Sequence, residues 1–333
     1  MSIFKLQKSG RVNLNEIYKD FKIYLYPYAR YAFLETLKTL NIKSIYIPSF
    51  ICRDMLAPIN TLGIKYYFYD LDIKLNPILK DIRCDAILMV NYFGFAANLS
   101  IFEKYKSVFN SIIIEDNAHG FLSRDENERL LGTRGDIGLL SIRKTIFLPN
   151  GGAVLINNPK FKDLNFQSAI CKTSSEDLKY NNKCKLKKCL ILSSFGIFIV
   201  LLRRFIRYLK SGNAIPLPDL KSEENMPNQS NLTPKLKDMN IDIDIIFEIN
   251  RRRNLYFKVC KYAKLFEIEP IYQLNDFTVP FEFAFIDNGR YRQFQRYLYL
   301  KGLFVLPWPD LPDEITDKSP KFYKNVKVVP FLW

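Results

Sequence analysis

The order of segments in this 333-residue chain predicts an α/β fold: a three-layer arrangement around a mostly parallel sheet, followed by a smaller C-terminal α+β domain. Strand-like runs alternate with amphipathic stretches through the first two-thirds, a pattern that gives parallel strands joined by crossover helices and covered on both faces. The length, with 48% hydrophobic and 25% charged residues, suits one large domain and a smaller companion. A polar stretch, Gly212–Asp238, rich in Asn, Pro, Ser and Lys, then reads as a connection between the two.

The expected strands are the short β-branched and aromatic runs Ser44–Pro48, Lys65–Asp70, Ala86–Tyr92, Ser111–Asp116, Ile137–Ile142 and Ala153–Asn157. Between them Ala29–Leu40, Cys52–Leu62 and Leu99–Val108 have helical amphipathicity. Residues 159–211 read as helical and basic. Their apolar core, Cys189–Leu202, is bracketed by Lys185, Lys187 and Lys188 and by Arg203, Arg204 and Arg207. A bilayer needs about 20 apolar residues, so this run is too short to span; it reads as a buried helix or an interfacial one in peripheral membrane contact. Ile241–Phe266 reads as a long helix, Thr278–Ile286 as a strand, Arg290–Gly302 as a helix, Pro307–Pro312 as a loop and Val326–Trp333 as a strand. The expected organisation is a large domain over 1–215, a linker over 216–238 and a small domain over 239–333.

The formal net charge of +15, from 49 Lys and Arg against 34 Asp and Glu, has no nucleic-acid reader motif beside it. It reads as a lysine-rich surface, with some field attracting anionic substrates or an acidic membrane surface. The six cysteines form no Cys-x-x-Cys pair, and one histidine leaves no zinc-ligand set and no spare base for a serine triad. The opening residues lack a signal-peptide core, which sets the expectation of a cytoplasmic protein with free thiols.

The chemical signal is the run Ile112-Ile-Ile-Glu-Asp-Asn-Ala-His119, followed by Gly135-Asp-Ile-Gly138 and Ser141-Ile-Arg-Lys144, with Gly151-Gly152 just beyond. An aspartate ending an apolar strand and a lysine at a later strand-to-loop junction are what pyridoxal phosphate chemistry requires. The lysine amine condenses with the cofactor aldehyde, and the carboxylate keeps the pyridine nitrogen protonated so that the ring withdraws electrons. Ligands of such sheets bind beyond the carboxyl ends of the strands, where Asp116 and Tyr92 are expected.

These residues, with Tyr28-Ala-Arg-Tyr-Ala32, Ile45-Tyr-Ile-Pro-Ser-Phe50, Tyr69-Asp-Leu-Asp72, Val90-Asn-Tyr-Phe-Gly94 and Gly132-Thr-Arg-Gly-Asp136, resemble the DegT/StrS family of sugar aminotransferases, fold-type I pyridoxal phosphate enzymes. The resemblance covers about half the chain; beyond it only Arg251-Arg-Arg-Asn254 and the loop from Gly302 to Trp308-Pro309 are similar. It implies that Lys144 is the Schiff-base lysine and general acid/base, that Asp116 pairs with the pyridine nitrogen, and that His119 lies beside the cofactor ring. It further implies that Ser141 bonds the cofactor phosphate and that Ala29, Arg30 and Tyr31 stand at the helix start that cradles it. The family tends to carry Gly and Ser or Thr there. Arg30 either compensates for that electrostatically or lies at the surface, and Arg143 either neutralises phosphate, contacts substrate or faces solvent. Phe50 and Tyr92 are expected in the substrate pocket.

This chain departs from the family in three ways. Its serine lies three residues before the lysine instead of five, the Gly-x-Asn-x-Arg segment of a neighbouring subunit is missing, and the chain stops before the family's customary last helices. The implied activity is ping-pong transfer of an amino group from glutamate to a keto sugar on a nucleotide carrier, for surface polysaccharide or glycoconjugate assembly, by a homodimer. The family's dehydratases replace the lysine with histidine, and Lys144 argues against that branch. The alternative is a catalytically degenerate or regulatory protein on the same fold, held at a membrane surface.

Overall fold

The computed structural model describes residues 7–173, 177–180, 182, 202, 205–210, 219–227 and 231–331. Its centre is an eight-stranded sheet. In chain order after a short strand β1 (Arg11–Asn13), its members are β2 (Lys22–Tyr26), β3 (Ser44–Pro48), β4 (Lys65–Leu71), β5 (Pro77–Ile78), β6 (Ala86–Val90), β7 (Ile112–Asn117), β8 (Ile137–Leu140) and β9 (Gly152–Ile156). Their spatial order is β2-β9-β8-β7-β6-β3-β4-β5. The stretch from β8 to β4 is wholly parallel, whereas β9 runs antiparallel between β2 and β8. The six expected strands are present. Lys22–Tyr26 was not among them, and it pairs along its whole length with β9.

One face of the sheet is covered by α2 (Ala29–Thr39) and α3 (Ala57–Thr61), which follow a four-residue helix α1 (Leu14–Ile17). Helix α2 buries Tyr31, Ala32, Phe33, Thr36 and Leu37 against the apolar sheet residues Ile45, Ile47, Leu88, Ile114 and Val154. That spacing is the stripe an amphipathic helix turns to a core. The opposite face meets α4 (Leu99–Phe109), whose N-terminus is capped by the Asn98 side chain. It is also packed by the C-terminal part of the chain, in one continuous core with Ile87 and Met89.

After a short helix α5 (Ile142–Thr145), the C-terminal part contributes strand β10 (Asn240–Asp242), helix α6 (Ile245–Lys264), strand β11 (Glu282–Ile286), helix α7 (Tyr291–Leu300), strand β12 (Leu306–Pro307), a helical turn α8 (Asp313–Thr316) and strand β13 (Val326–Pro330). Strands β11, β13 and β12 form an antiparallel three-stranded sheet with β13 in the middle, so the apolar run near the chain end is buried on both sides of its ladder.

Two expectations are corrected here. The helix expected from Ile241 begins at Ile245, where the Asp244 side chain accepts from Phe247 N–H, and Ile241 belongs instead to a strand paired with β1. The helical reading of 159–211 fails over 159–173, where a single turn, Pro159–Phe161, gives way to extended chain. The apolar run 189–202 lies outside the described residues except for Leu202. Within the expected linker, Leu220–Glu223 and Pro234–Met239 form tight helical turns. Among the described residues no helix is long and apolar enough to cross a membrane.

Candidate active site

Parallel register brings three strand ends level. Val90 lies opposite Asp116, and Asp116 opposite Leu139, so Asn91, Ala118 and Ser141 leave the sheet side by side. Each strand hands its chain to a turn at the carboxyl edge, and the turns line one cleft. Lys144, Asp116, His119, Ser141, Arg143, Ala29, Arg30, Phe50 and Tyr92 all line it. Tyr31 does not: its ring is buried under the sheet and its hydroxyl donates to the Pro227 carbonyl.

Asp116 is 6% exposed, and one of its oxygens accepts from Ala118 N–H at 3.0 Å. Burial raises its pKa, opposed by the charge of Lys144 and by that N–H. The residue before it, Glu115, faces the other way and is fully buried. It accepts from Asn91 Nδ2, from Arg134 Nε at 2.8 Å, and from the backbone N–H groups of Arg134 and Gly135. Arg134 in turn donates to Asn91 Oδ1 and the Ala97 carbonyl. This buried network fixes the end of β7, and strand alternation then aims Asp116 into the cleft.

His119 faces Lys144 directly, with Nε2 3.0 Å from Nζ. Its ring stacks on Phe281 at 4.7 Å and stands edge-on to Trp308 at 5.7 Å. Burial, then the charge of Lys144, holds its pKa well below the usual imidazole value, so the ring is neutral. Phe93 N–H donates to Nδ1 at 3.3 Å. Nδ1 thus accepts from the backbone while Nε2 meets the Lys144 amine.

Several walls were invisible to local sequence patterns. Trp308 packs against Phe50 at 5.0 Å and Phe93 at 4.9 Å, and its loop is gripped by Arg53. That arginine is 4% exposed, pairs with Asp310, Glu223 and Asp313, and donates to the Leu311 carbonyl. Tyr92 donates its hydroxyl to the Phe50 carbonyl, which holds both aromatic walls together. Arg252, 1% exposed, is bound by Glu248 and donates to the carbonyls of Phe281 and Thr145, tying the ring beneath His119 to the turn that bears Lys144. Glu282 lies next to Phe281 with Oε2 buried and unpartnered. Burial pushes its carboxyl up to about 7, against the opposing charges of Lys144 and Arg252.

The cleft fits pyridoxal phosphate by the chemistry of its donor set. A buried carboxylate that accepts one backbone N–H faces the same space as the Lys144 amine, and a neutral imidazole orients that amine. The start of α2 supplies an anion cradle. Its cap residue Tyr28 gives no side-chain hydrogen bond, leaving the backbone N–H groups of Ala29 and Arg30 for a ligand. Gly152 keeps the cradle intact, because a Cβ there would sit 2.5 Å from Ala29 N.

The fold is the one that solved aminotransferase structures share. Residues 56–184 match the DegT/DnrJ/EryC1/StrS aminotransferase family. The whole fold is similar to a DegT DnrJ EryC1 StrS aminotransferase from Brucella abortus, with 14% identity, TM-score 0.59 and coverage of 95% of this chain and 82% of that one. It is also similar to PseC of Helicobacter pylori, an aminotransferase involved in the biosynthesis of pseudoaminic acid, with 13% identity, TM-score 0.57 and coverage of 92% and 80%. A third similar structure is the E. coli GDP-4-keto-6-deoxy-D-mannose-3-dehydratase with bound hydrated pyridoxal phosphate, with 18% identity, TM-score 0.56 and coverage of 95% and 85%. No curated protein matches the sequence. The family, fold class, enzyme class and cofactor expected from the sequence agree with these findings.

Proposed function

We propose that this protein transfers an amino group from glutamate to the keto group of a nucleotide-activated sugar, in the cytoplasm, for surface polysaccharide or glycoconjugate assembly. The observation that carries the transfer chemistry is the 3.0 Å contact between Lys144 Nζ and His119 Nε2, in the same cleft as buried Asp116. Bound pyridoxal phosphate supplies the aldehyde and the electron-withdrawing ring. Lys144 holds and moves the proton at Nζ, which His119 Nε2 positions from 3.0 Å. Asp116 holds a proton at the pyridine nitrogen, and its burial strengthens that pairing. Trp308, Phe93 and Phe281 exclude water on the His119 side.

The dehydratase neighbours share the fold, but a lysine at position 144 favours aminotransfer, since the family's dehydratases carry histidine there. The nucleotide-sugar acceptor follows from the family resemblance and accords with the net positive charge of the chain. The four described cysteines, Cys52, Cys84, Cys171 and Cys260, are free thiols, which suits a reducing compartment. The family's usual homodimer is proposed with the function, as is peripheral membrane contact through 189–202.

The test is the visible absorption spectrum of the protein with added pyridoxal phosphate, beside Lys144→Ala. A band that the variant lacks and that glutamate bleaches supports the reading. No band in either protein overturns it and leaves the degenerate-fold alternative in its place.

A further inference from the structure

The ring of Tyr28 carries two guanidinium groups. Arg143 Cζ lies 4.9 Å from its centroid and Arg30 Cζ 5.5 Å. All three residues line the cleft. Arg30 has a carboxylate partner in Asp54, at 3.2 Å and half exposed. Arg143 has no ion pair among the described residues, and its Nε is buried without a hydrogen-bond partner. Burial, followed by the repulsion of Arg30, opposes its charge. An aromatic face attracts a cation only modestly, by about 0.5–2 kcal/mol, which does not offset the loss of water around a guanidinium. The pair therefore holds more positive charge than its surroundings neutralise.

The same corner contains the start of α2, eleven residues long, where Tyr28 gives no side-chain cap and the Ala29 and Arg30 N–H groups have no backbone partner among the described residues. Arg30 belongs to that first turn. Arg143 arrives from α5, where its backbone N–H is anchored to the Gly151 carbonyl. Two elements, α2 with Arg30 and its N-terminus and α5 with Arg143, thus bring two guanidinium groups and a helix start together within a single chain. A planar fork with five donors matches the oxygens of a phosphate monoester better than a point charge does.

We propose that Arg30 and Arg143 clamp the dianionic phosphate of the cofactor. This rests on the reading of the cleft as a pyridoxal phosphate site, and the experiment separates the two. Dissociation constants for pyridoxal phosphate and for phosphate-free pyridoxal are measured by absorbance titration of wild type, Arg143→Gln, Arg30→Gln and Arg143→Lys, in phosphate-free buffer and without turnover. Arg143→Gln should weaken pyridoxal phosphate at least tenfold while leaving pyridoxal within about threefold. Arg143→Lys should recover part of the loss because it restores the charge without the fork.

Equal weakening of both ligands makes the arginines merely structural and overturns the clamp, as does unchanged binding of both. Inorganic phosphate alone is the independent arm. It should raise the melting temperature of wild type and not of Arg143→Gln; protection of both or of neither overturns the clamp. If phosphate protects as expected while wild type binds no pyridoxal phosphate, the anion clamp stands and the cofactor reading falls. A nucleoside diphosphate added to cofactor-loaded protein separates the remaining source. If Arg143→Gln weakens that ligand and leaves pyridoxal phosphate untouched, the clamp belongs to the substrate and the assignment is overturned.

Discussion

Glu282 offers a sharp test of the electrostatics behind Lys144. Its carboxyl is buried, one oxygen lacks a partner, and its pKa stands at about 7 against an ordinary value of 4.5. The folded value lies above the unfolded one, so burial penalises the ionised form. That penalty is absent below about pH 4.5, grows as pH rises toward 7, and is constant above it. Over the interval from pH 5 to pH 8 the linkage amounts to about 2.5 kcal/mol of lost stability. Glu282→Gln keeps the shape and cannot ionise. An unpaired amide costs the variant about 1–3 kcal/mol at either pH, so the informative quantity is the difference between the two pH values. Asp116 and His119 also carry shifted pKa values, but they titrate in both proteins and largely cancel from the comparison. Urea unfolding at pH 5 and pH 8 should show the variant gaining about 2.5 kcal/mol on wild type over that interval. A stability difference that is the same at both pH values would refute the reasoning and place the carboxyl in contact with water.

Three further outcomes follow from the packing. Glu115→Ala leaves Arg134 charged and buried, which should cost about 3–5 kcal/mol in urea unfolding, and Arg134→Met added to it should recover much of that loss. Gly152→Ala drives a Cβ into the start of α2, at a cost of about 1–3 kcal/mol, and should weaken pyridoxal phosphate binding more than pyridoxal binding in absorbance titrations. Arg53→Ala releases the loop held through Asp310, Glu223 and Asp313, so in a Trp333→Phe background the fluorescence of Trp308 should shift to the red as its indole meets water.

The sheet was legible because its strands are short apolar runs separated by amphipathic segments, and each run ends where the chain needs a turn. Lys22–Tyr26 escaped notice because a five-residue run says little unless its partner is known, and that partner, β9, lies more than a hundred residues downstream. The start of α6 was missed for the opposite reason. Ile241, Ile243 and Ile245 extend the apolar character of the helix upstream, while the stop signal is a single aspartate at 244 whose side chain caps Phe247. Ile241 and Ile243 alternate with polar residues, a period-two pattern that could have marked the strand.

The candidate site divides in the same manner. Asp116, His119, Ser141 and Lys144 stand at the ends of neighbouring strands, so their convergence follows from parallel register and short-range spacing. The walls around them do not. Trp308 reaches the cleft because Arg53, remote in sequence, holds its loop, and Phe281 reaches His119 because Arg252 ties the Phe281 carbonyl to the lysine turn. Reaction chemistry needs a few groups at fixed mutual positions, which one sheet edge provides. Discrimination among acceptors needs the complementary surface of an enclosure, which two distant parts of this chain build together. The reaction class could therefore be read from one local stretch, whereas the enclosure around it depends on Trp308, Phe281 and the buried arginines that hold them.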